Sequence, residues 1–172
     1  MHLEPASLTA PRGLAELLAD LGNGENGFNG TAVGRGEMTI PEYLQSCMDM
    51  TDPSMLKPGF VPQTVFWVID DAGEAVGLVR VRHYLNDKLR ERGGHIGYYI
   101  RPSQRGKGYA TQALRLALVE LGKLGEPRAM LSTNETNLPS RRVIEVNGGV
   151  LESMGLNEDG TQFCRYWIEI KA

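Results

Sequence analysis

Apolar and polar positions along the chain follow two periods, and these divide it into ten elements. Within Pro11 to Leu21, leucines at positions 14, 17, 18 and 21 share one helical face, and Gly22 stops the helix. Ile40 to Met50 repeats the helical period, with Pro41 suited to a first turn and Tyr43, Leu44, Cys47 and Met48 on one side. Between them, Gly22 to Gly36 holds six glycines with Asn23, Asn26 and Asn29, which predicts a mobile loop. Asp52 to Pro62, with three prolines, reads as a connector. The period then shortens to two: Thr64 to Ile69 and Ala75 to Tyr84 flank turn residues and predict an antiparallel hairpin. Charged, glycine-ended Asn86 to Gly94 leads into a third strand, His95 to Ile100. The clearest helix follows, with Ala110, Ala113, Leu114, Ala117, Leu118 and Leu121 in phase, closed by Gly122 and Gly125. A strand over Arg128 to Thr133, a helix over Leu138 to Val146, and strands over Val150 to Met154 and Gln162 to Ile170 complete the order ααβββαβαββ. That order predicts an α/β chain of the α+β kind, a mixed sheet flanked by helices rather than a doubly wound fold.

Composition narrows the function classes. A length of 172 residues suits one domain spanning 1–172. A net charge of −3 and a pI near 5.7 give no footprint for nucleic acid, so small-molecule or peptide partners are expected. The longest apolar run, Val65 to Ile69, is too short to cross a bilayer, and the chain reads as cytoplasmic with no membrane partner. Cys47 and Cys164 fit no metal-ligand spacing, no metal is expected, and neither cysteine is the expected nucleophile.

The candidate chemistry lies where the third strand meets the strongest helix. In Arg105-Gly106-Lys107-Gly108-Tyr109-Ala110, two glycines flank a lysine at the helix start. Unpaired first-turn amides and the positive end of the helix dipole suit an anion there, and glycine admits a phosphate close to the backbone. A tight strand-to-helix turn with solvated cations explains the same residues. A P-loop is excluded because Gly108 follows Lys107, and a Rossmann fingerprint because Thr111 stands where the third glycine belongs.

Arg105-x-x-Gly108-x-Ala110 resembles the Arg/Gln-x-x-Gly-x-Gly/Ala signature of the GNAT superfamily of N-acetyltransferases. The similarity runs from Phe66 to Gly149 and includes Asn134-x-x-Asn137-x-x-Ser140, and Gly94-His95-Ile96-Gly97-Tyr98-Tyr99-Ile100-Arg101-Pro102 resembles a branch of largely uncharacterised acetyltransferases. The resemblance implies a mostly antiparallel central sheet whose strands splay on either side of an acetyl-CoA arm. The backbone of Tyr98, Tyr99 and Ile100 would pair with that arm, and the amides of Arg105, Gly106, Lys107, Gly108, Tyr109 and Ala110 would hold its pyrophosphate. Asn134 and Asn137 would contact the cofactor, although Asn137 before Leu138-Pro139 is also a good helix cap.

The implied reaction is direct acetyl transfer to an amine acceptor, both substrates bound together, with no acyl-enzyme. Ile144 stands where many family members carry the tyrosine that protonates the thiolate, which leaves Ser140 or water for that task. His95 is the expected base, with Glu91 and Glu37 behind it, and a backbone-bonded strand histidine is the alternative. A non-catalytic acyl-CoA-binding sensor and a nucleotide-binding protein are the competing readings. Aromatic Phe163, Tyr166 and Trp167 fit either a core strand or a homodimer face.

Overall fold

The computed structural model describes residues 1–171. Its elements are β1 His2–Pro5, α1 Leu14–Leu21, β2 Gly24–Glu25, β3 Phe28–Asn29, α2 Ile40–Asp49, β4 Gln63–Ile69, β5 Ala75–Arg82, α3 Asp87–Glu91, β6 Ile96–Ile100, α4 Tyr109–Lys123, β7 Arg128–Asn134, α5 Leu138–Val146, β8 Val150–Leu156 and β9 Gln162–Glu169. All ten expected elements are present, and four additions extend them. β1 lies antiparallel on β4, Leu3 opposite Val68, and ends at Pro5, a residue suited to a sheet edge. The segment expected to be a mobile loop carries a small hairpin, β2 and β3, turned by Asn26 (φ 50°) and Gly27 (φ 82°). Asn-Gly with both residues left-handed is the favoured two-residue hairpin turn. The charged stretch after β5 forms α3, capped by the Asn86 side chain accepting from the Leu89 amide at 3.0 Å.

Two antiparallel sheets result, β1-β4-β5-β6 and β7-β9-β8. The central strand β4 is apolar on both faces because both are covered. Val65, Trp67 and Ile69 pack with α1 and α2, and Phe66 and Val68 pack toward α4. Ala113, Leu114, Ala117 and Leu121 form the buried stripe of α4, all 0% exposed. β9 is the middle strand of the second sheet, so Phe163 and Tyr166 are buried core residues rather than an outward aromatic face.

The sheets touch at one seam. Gly94 bridges Leu131, and the His95 amide donates to the Met130 carbonyl at 2.7 Å. Gly94 has φ +73°, and a Cβ there would lie 2.3 Å from the Met130 oxygen, so the approach requires glycine. Beyond the seam no ladder joins β6 to β7, and the gap between them is open. No helix among the described residues is long and apolar enough to cross a membrane.

Candidate functional site

A cavity of about 590 Å³ occupies the gap, walled by β6, the start of α4, the first turns of α5 and the β2–β3 hairpin. One end is the strand-to-helix turn. Gly106 and Gly108 both have positive φ, +76° and +81°, and open space lies where their side chains would be: a Cβ added at Gly106 would meet nothing within 4 Å, and one at Gly108 only Gln112 Nε2, at 3.9 Å. Gly108 is the N-cap of α4 and no side chain caps it. The first helical bond runs from the Gln112 amide to the Gly108 carbonyl at 3.1 Å, which leaves the amides of Tyr109, Ala110 and Thr111 without a backbone partner. The absence of side chains at both glycines leaves room beside this uncapped helix start.

Tyr98, Tyr99, Ile100, Arg105, Gly106, Gly108, Tyr109, Ala110, Asn137 and Ser140 all line the cavity. The Tyr98 hydroxyl lies 2.8 Å from Ser140 Oγ, spanning the gap from β6 to α5. Burial pushes the phenol up to about 12, so it keeps its proton at neutral pH. Asn137 caps α5, its Oδ1 accepting from the Ser140 amide at 3.3 Å. Ile144 is buried against the same space and brings no hydroxyl. Arg105 donates to the Ile100 carbonyl at 2.9 Å and pairs with Glu25 of the hairpin, fastening the turn to β2.

Three expected residues do not reach the cavity. Lys107 is exposed and donates to Gln104 Oε1 at 2.8 Å. Asn134 turns to the far end, where its Oδ1 accepts from Arg92 at 2.9 Å. His95, the expected base, is 2% exposed and sits in the seam: its Nδ1 accepts the Met130 amide at 2.9 Å and its ring packs edge-on against Trp167. Burial, with the charges of Arg90 and Arg82, holds its pKa down at about 4, outweighing the Glu126 carboxylate 3.7 Å from Nε2. His95 thus lies just before β6, enclosed in the seam and bonded to backbone, and is not among the residues lining the cavity. Glu91 and Glu37 are exposed and do not line the cavity either. Cys47 is buried, which pushes its thiol up to about 11, and Cys164 is buried in the core.

The far end of the cavity holds residues that the periodicity did not single out: Arg80 and Arg82 of β5, Arg92 after α3, and Phe28 of the hairpin. The Phe28 ring stacks near Tyr99, with 6.2 Å between centroids, and the Arg80 guanidinium lies 4.4 Å from the Phe28 centroid. The signal was available, since two arginines two residues apart on an otherwise apolar strand put two charges on one face of a buried sheet.

A family model described as an acetyltransferase (GNAT) domain matches residues 39–150. The fold resembles a spermidine N-acetyltransferase variant from Vibrio cholerae at TM-score 0.67 and 19% identity, covering 98% of this chain and 95% of that one. An N-acetyltransferase from Staphylococcus aureus Mu50 aligns at TM-score 0.63 and 16% identity over 99% and 98% of the two chains. A Salmonella typhimurium protein solved with its cofactor acetyl-CoA aligns at 0.59 and 13% over 91% and 85%. No curated protein gives a significant match to the sequence.

Proposed function

The chain belongs to the GNAT acetyltransferases, and from that premise we propose that residues 1–172 act as one N-acetyltransferase domain, moving an acetyl group from acetyl-CoA directly to an amine bound beside it. The observation that carries this reading is the glycine cradle at the mouth of a cleft between separated strands, with three amides free of backbone partners. Those amides and Arg105 suit a pyrophosphate. The unladdered edge of β6 at Tyr98 to Ile100 suits an amide-bearing arm. Along β6, Gly97 lies about 10 Å from Ile100, at roughly 3.3 Å per residue, which spaces the reacting end away from the phosphate turn. Acetyl-CoA, when bound, supplies the acyl group as a thioester. In the transfer the amine nitrogen bonds to the acyl carbon, the carbon–sulfur bond breaks, the thiolate gains a proton and the nitrogen loses one.

The chain's own residues divide that proton traffic. Ser140 gives its proton to the departing sulfur and takes the Tyr98 proton in return, and the phenol, its pKa pushed up to about 12, is reprotonated from solvent, which receives the proton shed by the nitrogen. Glu25, the one carboxylate among the cavity-lining residues, is held by Arg105, and no histidine lines the cavity. The nitrogen proton is therefore shed by environment: the guanidinium groups at the far end disfavour an ammonium and lower the pKa of an amine placed beside them. Cys47 and Cys164 take no part, in keeping with a ternary complex rather than an acyl-enzyme.

Gly108→Val tests the placement. A β-branched side chain at φ +81° is strained and takes up the room beside the helix start. The folded variant is expected to lose at least about tenfold in acetyl-CoA affinity by calorimetry. Undiminished binding by the folded variant overturns the reading. Acetyl-CoA binding without thiol release, across a broad mixture of amines, would instead identify an acyl-CoA sensor.

A further inference from the structure

Arg80, Arg82 and Arg92 converge on one end of the cleft, and nothing in the acetyl donor's half requires them there. Arg80 and Arg82 are two residues apart on β5, so they project from the same face of the sheet. Arg80 is registered opposite Gly97 and the Arg82 amide bonds to the His95 carbonyl at 2.8 Å, which puts both at the end of β6 remote from the phosphate turn. Arg92 joins them from the loop after α3. A Cβ on its neighbour Gly93 would lie 3.7 Å from Arg82 Nη1, and one on Gly27 of the hairpin turn 3.1 Å from Arg92 Nη2. All three are half-buried cavity residues.

Their hydrogen bonds go only to neutral acceptors. Arg80 donates to the Asn29 carbonyl at 3.0 Å and Arg82 to the Gly94 carbonyl at 2.8 Å. Arg92 spreads its donors over Asn157, Ser132 and Asn134 at 3.0, 2.6 and 2.9 Å. Among the described residues, none of the three is paired with a carboxylate within 4.0 Å. Three like charges, part-desolvated and unmatched, are unfavourable in the empty cleft, and an anion delivered by a ligand relieves that cost. The field that attracts such an anion repels a polycation. Guanidinium groups also offer the forked geometry that carboxylate, phosphonate and phosphate match with two parallel hydrogen bonds.

We infer that the acceptor carries an anionic group, a carboxylate or a phosphorus oxyanion, close to its reactive amine, and that Arg80, Arg82 and Arg92 recognise that group. The inference rests on the acetyl-transfer reading of the cleft and gives it a substrate class: amino acids and aminoalkylphosphonates, not polyamines. Asn134 and Ser132 act as positioning residues that hold the Arg92 fork, and the Phe28 ring under Arg80 orients its guanidinium.

The test measures thiol release from acetyl-CoA over the twenty L-amino acids, their amides, 2-aminoethylphosphonate and spermidine. At least one anionic amine is expected to exceed its neutral counterpart by roughly 10- to 100-fold in kcat/KM, the range for losing a charge-assisted hydrogen bond, and spermidine is expected to be a poor acceptor. In Arg82→Gln that preference shrinks toward unity while the acetyl-CoA Kd stays within a few-fold. Arg82→Lys keeps the charge but not the fork and falls between, and Arg80→Gln is the independent check should Arg82→Gln fail to fold. Amides or spermidine acetylated as well as the anionic amines overturn the inference and leave acetyl transfer standing. So does an acetyl-CoA Kd that collapses in Arg82→Gln, which assigns the arginines to the donor. If acetyl-CoA binds and no amine is acetylated, the transfer reading fails. The anion site is then judged by thermal shift of the CoA-saturated protein with N-acetylamino acids, whose lack of effect overturns it as well.

Discussion

Tyr98 and Ser140 share a 2.8 Å contact between hydroxyls in a cleft where Ile144 brings none. The two act as one device in the proposed reaction, so their removal should be non-additive. Ser140→Ala is expected to lower kcat by about 10², the lower end for a positioned proton donor, with KM for acetyl-CoA little changed. Tyr98→Phe should cost less, because Ser140 keeps its own proton, and the double variant should match Ser140→Ala. Steady-state kinetics on the three variants decides the point: additive losses, or full activity in Ser140→Ala, would mean that water protonates the thiolate. At this scale the sequence was uneven as a guide. Residues tied to local backbone, the glycine turn and the Asn137 cap, were legible because a spacing of three or four positions defines them. His95 was not, because a strand has two faces and a lone histidine does not declare which one meets the cleft.

Each long helix and every strand of the two sheets except β1 were visible in the chain, because α1, α2 and α4 carry apolar residues at helical spacing and β4 is a β-branched and aromatic run between turns. β1 escaped notice since four residues without a flanking turn carry too little pattern, and the β2–β3 hairpin was hidden by the surrounding glycines despite its Asn-Gly turn. The meeting of the two sheets at Gly94 is a third kind of fact, long-range and therefore absent from any local window. It predicts a contrast between glycines of similar backbone. Gly94 (φ +73°) has the Met130 oxygen 2.3 Å from an added Cβ, whereas Gly125 (φ +91°), after α4, has nothing within 4 Å. Gly125→Ala is expected to cost about 1 kcal/mol for its left-handed backbone alone, and Gly94→Ala at least about 2 kcal/mol more, since the seam must move. Chemical denaturation of both variants provides the comparison, and equal losses would show that the seam yields without strain.

For the whole molecule the seam couples stability to pH through His95. Its folded pKa, about 4, lies below the ordinary value of 6.5. Above pH 6.5 both folded and unfolded chains carry a neutral imidazole, so its contribution is flat. As pH falls through 6.5 the unfolded state takes up a proton that the folded state refuses, and stability declines until about pH 4, by up to about 3 kcal/mol in total. Geometry explains the refusal. Nδ1 accepts the Met130 amide, and a protonated ring would turn that acceptor into a donor facing a donor at the one place where the sheets are joined. His83, also held down by desolvation, adds to the decline with the same sign. The exposed carboxylates Asp52, Asp71 and Asp159, whose pKa values their hydrogen bonds lower, act only near and below pH 4, outside this window. Thermal or urea unfolding from pH 8 to 4.5 should therefore show stability falling with acid, with a flatter slope in His95→Gln whatever that substitution costs at pH 8. An unchanged slope in the variant would move the titration elsewhere. The same variant separates structure from chemistry: with His95 outside the cleft, kcat at pH 8 is expected within a few-fold of the parent, and a loss of 10² or more in a fully folded variant would return the imidazole to the reaction.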